Sequence, residues 1–410
     1  MLAALFGNAS FAAAQWLIVL VLARLGGPGE VGTFALATAI ATPLVATFAM
    51  GLRVIAATSH DVDRYIDDYV VLRVVGGVLS FIAMFVLGTL GIVEGELLRV
   101  SLALTAAKAI EGVSDVIYGI QQSRSDISSM TLSLVLRSVL GLITFAFGYW
   151  YTHSLTLSTI ALAGAWLAAL LLWDLARAPT SGKAVIRRLA FATSCASTRS
   201  TLYKHVQVAW PLGLATVLYM LMTMVPRYFV GANLGMDALG IFAASVHLII
   251  VGELIVRSIN QVASARLARW ATSPHSLAFR QLVLQLVMAS FAIGVLGLLI
   301  VSLIGSDLLR FLYGADFASG GPVLIWLAGV GALMYLAATM GYVLTALRIV
   351  ALQAQTIAIA VVLNAFLCAV LVRHFGLYGV AAAWGAALCV PLVIGWGRVV
   401  AAVRSRSVTT

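Results

Sequence analysis

Charge is what this sequence has least of. Only 10% of its 410 residues are Asp, Glu, Lys or Arg, against 62% hydrophobic. A soluble chain of ordinary composition carries about 25% charged residues. So thin a supply cannot solvate the surface of a water-soluble fold, which leaves lipid as the solvent. Cysteine is nearly absent too. Cys195, Cys368 and Cys389 are widely spaced, which excludes a disulfide framework and a cysteine metal site. The histidines are scattered, none at metal-ligand spacing or beside a nucleophile, so no catalytic residue, metal or cofactor is expected. The net charge of +10 comes without a Lys/Arg block or an aromatic-basic platform, so nucleic acid is not an expected partner. In a membrane chain a basic excess reads as loops facing anionic lipid.

What the sequence does have is long apolar runs, and its mean hydropathy is +1.06. A helix crosses the hydrocarbon with about 20 apolar residues, because every backbone polar group must be satisfied within the segment. On that template spans are expected near 3–24, 31–52, 70–92, 97–119, 130–150 and 155–174, and again near 206–230, 238–261, 282–304, 322–346, 352–372 and 377–401. The first begins almost at Met1 without a basic leader, so it is expected to be retained. With cytoplasmic termini, fifteen Lys and Arg side chains fall on the cytoplasmic side and three, Arg24, Arg310 and Arg373, on the other. That asymmetry sets the expected orientation.

The longest polar interval, 175–205, divides the chain into an N-terminal six-helix lobe (1–174), a cytoplasmic linker and a C-terminal six-helix lobe with a short tail (206–410). An echo supports the division. LGGPGEVGTFALA from Leu25 is answered by LGMDALGIFAAS from Leu234, with Gly32, Phe34 and Ala35 matching Gly240, Phe242 and Ala243 at a constant offset. Parallel repeats with a substrate site between them are a common transporter plan.

Further segments fall in a telling order: GLRVIAAT, WPLGL, VPRYFVGANLGMDALGIFAA, ASARLARW, LLRFLYGADF and FGLYGVAAAWG. Together they resemble the oligosaccharide-lipid flippases of the multidrug/oligosaccharidyl-lipid/polysaccharide exporter superfamily, over nearly the whole chain. The short N-terminus is a departure from that pattern. The resemblance implies an all-α polytopic protein of about 12 transmembrane helices, in two six-helix lobes around a central cavity. It also implies translocation of an isoprenoid-pyrophosphate-linked oligosaccharide, a precursor of O-antigen, capsule or exopolysaccharide, across the bacterial inner membrane. The expected partners are that substrate, membrane lipids, and a glycan polymerase with its chain-length machinery. The alternatives are a multidrug antiporter of the same superfamily, whose cationic drugs call for acidic linings, and a glycan polymerase or ligase. The latter needs a sizeable external loop, whereas the longest one expected, about 305–321, is short and lacks histidine.

Charges inside spans point the same way, since each costs about 2.5–3.5 kcal/mol at mid-membrane unless it finds a partner or a wet cavity. Lys108, Glu111 and Asp115 share one face of the fourth span. Glu253 and Arg257 are one turn apart on the eighth, and Asn260 extends the face of Arg257. Arg137 and Arg227 have no carboxylate three or four residues away. Each must find a partner on another helix, snorkel to an interface or face water. Arg53 and Arg73 flank the acidic segment TSHDVDRYIDDY, expected as a cytoplasmic loop, where they receive phosphates or act as positive-inside anchors. A pyrophosphate suits such cations, because a guanidinium offers a planar fork of donors. The substrate-binding candidates are therefore Arg53, Arg73, Lys108, Arg137, Arg227 and Arg257. For ion coupling they are Glu111, Asp115 and Glu253, read as the only acids well inside the spans. Pro43, Pro211 and Pro391 are the expected kink points.

Overall fold

A computed structural model of the chain describes residues 2–58, 62–177, 196–274 and 276–404. The described residues are helical, with no strand among them. In chain order the helices are α1 Leu2–Ala49, α2 Leu52–Thr58, α3 Val62–Thr89, α4 Gly95–Ser123, α5 Ile127–Thr152, α6 Leu155–Arg177, α7 Ala196–Leu234, α8 Met236–Trp270, α9 Leu277–Tyr313, α10 Gly321–Ala346 and α11 Val350–Arg404. Three of their starts carry polar side-chain caps. Asp126, Ser154 and Ser276 each accept the backbone N–H three residues on, at 3.2, 3.3 and 3.3 Å, which satisfies an otherwise orphaned helix donor.

Nine of these helices are long and apolar enough to cross a membrane. α1, with 48 residues, is about 70 Å long at 1.5 Å per residue, and α11, with 55, is about 80 Å. Each exceeds twice the hydrocarbon thickness of about 30 Å. Each is also broken at one glycine outside helical geometry, Gly27 (φ 81°) and Gly376 (φ 55°), a conformation that costs other residues about 1–2 kcal/mol. The breaks thus fall at glycines rather than at the prolines singled out in the sequence; Pro391 sits inside α11 without ending it. Expected spans 1 and 2, and 11 and 12, are the two arms of these broken helices.

Helix extends further than the hydropathy pattern suggested. α9 continues to Tyr313 and is followed by a 3₁₀ turn, Ala315–Gly320, so the expected external loop at 305–321 is mostly helical. The acidic segment before the third span is likewise helical from Val62 onward. Its apolar residues Ile66, Tyr69 and Val70 repeat at helical spacing and pack with Leu52, Ala56, Val116 and Ile120, and Asp68 is carried inward with them. Tertiary packing thereby overrides the polar composition.

The chain forms two compact units, residues 1–26 with 33–220, and residues 27–32 with 221–410. The division falls inside α7, not at the expected linker. The reason is local: Ala209 of α7 joins the cluster around Leu52 and Tyr69, and Gly213 is seated against the backbone of Met50. Lys183, Arg187, Arg188 and Cys195, expected in the linker, lie outside the described residues.

Within the second unit, the echoed glycines meet. A Cβ on Gly32 would strike the carbonyl oxygen of Met236, and one on Gly240 would strike that of Pro28. The two contacts are reciprocal, each glycine facing the residue that holds the other's upstream position. Backbones this close exclude any side chain, as at small-residue crossings in membrane helices. Gly240→Ala and Gly32→Ala are each expected to cost about 1–3 kcal/mol by overpacking, read as a lower thermal denaturation midpoint in detergent. Gly297→Ala, which meets nothing within 4 Å, should leave the midpoint unchanged or raise it. Equal behaviour of the three variants would refute the close contact.

Candidate functional site

The charged face of α4 is where the first unit concentrates its polar chemistry. Lys108 donates to Glu111 Oε2 at 2.8 Å, one helical turn away. The other carboxylate oxygen of Glu111 faces Arg137 Nη2 of α5 at 3.9 Å. One turn further along α4, Asp115 meets Arg53 of α2 at 3.3 Å and Arg73 of α3 at 3.8 Å. Arg73 is also held by its Nε, which donates to the carbonyl oxygen of Gly112 at 2.6 Å. A Cβ on residue 112 would sit 2.9 Å from that Nε, so glycine is what lets the guanidinium lie flat against α4. Four cations and two carboxylates from four helices therefore form one cluster.

Arg137 finds its carboxylate on another helix, which is one of the three outcomes its sequence left open. It is also roofed by rings: its Cζ lies 4.9 Å from the centroid of Phe11, and 5.4 Å from those of Tyr118 and Trp166. Its Nε and Nη1 have no hydrogen-bond partner among the described residues, and the π faces supply the attraction instead. Lys108 shares two of the rings, 6.0 Å from Phe11 and 5.5 Å from Trp166. Exposure grades the cluster: the side chain of Arg137 is 1% exposed, that of Arg73 10%, Lys108 20% and Arg53 35%. Arg53 and Lys108 are thus the cations best placed to touch something outside the protein.

The candidates of the second unit are arranged differently. Arg257 pairs with Glu253 at 2.6 Å, as their spacing suggested. Asn260 does not extend that face. It is buried and donates to Thr339 of α10 at 2.9 Å, and Thr339 in turn bonds Ser290 of α9 at 2.7 Å. Arg227 of α7 is buried and reaches only Met224 Sδ, at 3.3 Å; no carboxylate lies within ion-pair distance of it among the described residues. It has not snorkelled to water.

One acid escaped the sequence reading. Asp174, at the last position of the expected sixth span, is fully buried and accepts from Ser114 Oγ of α4 at 2.6 Å and from Ser133 Oγ of α5. Among the described residues it is more deeply buried than Glu111, Asp115 or Glu253. Its signal was faint, because the helix makes a π turn over Leu170–Asp174, which shifts the register that a 3.6-residue repeat assumes.

Comparison with known proteins gives this geometry a context. Residues 4–268 match the family model described as "Polysaccharide biosynthesis protein". The chain is 24% identical over 326 residues, 78% of each chain, to the capsular polysaccharide biosynthesis protein CapF of Staphylococcus aureus. Among solved structures it resembles an inward-facing multidrug resistance MATE family transporter of the MOP superfamily, with a TM-score of 0.78 at 14% identity, covering 98% of this chain and 96% of that one. It also resembles the lipid II flippase MurJ in an inward closed conformation, with a TM-score of 0.74 at 12% identity, covering 97% and 87%. At such identities the structures establish a shared fold.

The cluster makes a stability prediction. Glu111→Gln leaves Lys108 and Arg137 facing each other without their common anion, and breaking a buried pair from one side costs about 3–5 kcal/mol. Lys108→Gln keeps the Arg137–Glu111 pair and is expected to cost less than half as much. Thermal denaturation of the purified variants reads the difference, and equal losses would mean that Glu111 is not the shared partner.

Proposed function

The chain belongs to the polysaccharide biosynthesis protein family, and from that premise we propose that it is a flippase for a lipid-linked oligosaccharide rather than an enzyme. The substrate is an isoprenoid-pyrophosphate-linked precursor of O-antigen, capsule or exopolysaccharide, moved from the cytoplasmic to the outer leaflet of a bacterial inner membrane. Twelve crossings, with α1 and α11 crossing twice each and α4 crossing despite its charges, keep both termini cytoplasmic.

The observation that carries this reading is the charge balance of the cluster on α4. Arg53, Arg73, Lys108 and Arg137 are set against Glu111 and Asp115. In a membrane, unneutralised positive charge calls for an anion, and a pyrophosphate supplies one. Arg53 and Lys108, the more open members, meet the phosphate oxygens. Arg73 and Arg137, which are nearly buried, hold Asp115 and Glu111 in place and add their charge to the field. In the second unit, taken by itself, Arg227 and Arg257 are the cations proposed to meet anionic substrate: Arg227 has no carboxylate within ion-pair distance among the described residues, and Arg257 has an exposed side chain already paired with Glu253. The isoprenoid tail stays in lipid, where apolar burial is already satisfied. A drug antiporter shares the fold, yet its cationic cargo is badly served by a cationic cluster.

The test is surface glycan in a strain lacking its own flippase, with protein level measured in parallel. A charge-assisted contact is worth about 1.5–3 kcal/mol, or about a tenfold or greater loss of binding. Lys108→Ala and Arg53→Ala are therefore each expected to cut complementation by about tenfold. Arg137→Lys, which keeps the charge but loses the fork, should retain part of the activity, and Arg137→Ala should retain less. Full activity of well-expressed Lys108→Ala and Arg53→Ala proteins would contradict the phosphate-binding role.

A further inference from the structure

The three acids first considered for ion coupling are each locked in an ion pair: Glu111 with Lys108 and Arg137, Asp115 with Arg53 and Arg73, and Glu253 with Arg257. Asp174 is held otherwise. Its side chain is fully buried, and its partners are two hydroxyls, Ser114 Oγ at 2.6 Å and Ser133 Oγ. No Lys, Arg or His lies within ion-pair distance of it among the described residues. An ionised carboxylate can accept about four hydrogen bonds, and a buried one without a cation is costly unless it neutralises.

Resting on the transport reading above, we propose that Asp174 is the proton-binding carboxyl of this transporter, taking one proton from water on one side of the membrane and releasing it to the other. The surroundings can serve both states. Tyr118 and Ser133 share a hydrogen bond of 2.7 Å in which either oxygen can donate. With the carboxylate charged, Tyr118 donates to Ser133 and Ser133 to Asp174. With it neutral, the acid proton is donated to Ser133, which turns its own to Tyr118. No heavy atom has to move. The π turn that ends at Asp174 is a second indication, since such turns recur at functional sites.

Among the described residues, the charged and titratable groups around it come from α4 and α5. From α4 these are Asp115 and Tyr118, with Glu111 one turn and Lys108 two turns further back; from α5 it is Arg137. Arg137 is the cation near enough to act on Asp174 through space, and it is also the partner of Glu111. A proton arriving at Asp174 thus changes the electrostatic balance of the cluster proposed to hold the headgroup, which couples the two loads.

Infrared difference spectroscopy on the purified full chain tests the proton site without reference to transport. Between about pH 4 and about pH 9, a range that brackets carboxyl titration in proteins, the wild type should gain and lose the carbonyl band of a buried carboxylic acid, and Asp174→Asn should lack that band. Should Asp174→Asn fail to fold, Ser114→Ala and Ser133→Ala keep the carboxyl and are each expected to shift its titration midpoint. The absence of an Asp174-dependent band, unmoved midpoints in both serine variants, or a spectrum that responds to sodium and not to pH overturns the site. In reconstituted vesicles an imposed pH gradient should speed transport of the lipid-linked glycan by the wild type and lose that effect in Asp174→Asn. A gradient effect that survives in Asp174→Asn overturns the coupling role. Failure of the wild type to move glycan at all counts against the flippase reading, and the infrared result still decides whether Asp174 binds a proton.

Discussion

Inside a membrane a charge needs a partner or a wet cavity, and in the first unit that requirement converges on one helix. α4 carries Lys108, Glu111 and Asp115 on one face, and the neighbouring helices bring what that face lacks: Arg53 from α2, Arg73 from α3 and Arg137 from α5. Remove the two carboxylates and four cations are left to repel one another in low dielectric. Leave them in place and the set is paired, yet still richer in positive charge than in negative. Packing follows from the same demand. Gly112 leaves room for the Arg73 guanidinium, and Phe11, Tyr118 and Trp166 roof Arg137 where hydrogen-bond acceptors are missing.

Much of this was legible in the sequence. Apolar runs of bilayer length gave the helices, and the spacing of Lys108, Glu111 and Asp115 gave the charged face. The Glu253–Arg257 pair followed from its separation of one turn. The glycines of the echoed segments stood out as a repeat, and in the structure Gly32 and Gly240 seat each other's backbones. What a one-dimensional pattern could not supply was partnership between helices. Arg137 looked solitary because its carboxylate lies on α4, and Asn260 looked like an extension of the Arg257 face because its true partner, Thr339, is on α10.

Other departures come from helices that ignore local composition. Asp67 and Asp68 read as loop, but the apolar stripe of Ile66, Tyr69 and Val70 drew that segment into α3. The division into units fell inside α7 because the early turns of that helix pack with α2 and α3, whatever the polarity of the segment before it. Asp174 was overlooked because a single wider turn re-aims it, and no hydropathy window registers one inserted residue.

The central claim is that the cluster on α4 exists to meet an anionic headgroup, and ligand-induced stabilisation of the purified protein tests it most directly. A short-chain isoprenoid pyrophosphate should raise the thermal midpoint, while the same chain ending in a neutral hydroxyl should not. At about 100-fold excess over the dissociation constant, binding to the native state adds about 2.7 kcal/mol. That gain should shrink in the Lys108→Ala and Arg53→Ala proteins. Equal stabilisation by the charged and neutral lipids, or a gain unchanged in both variants, would contradict the account.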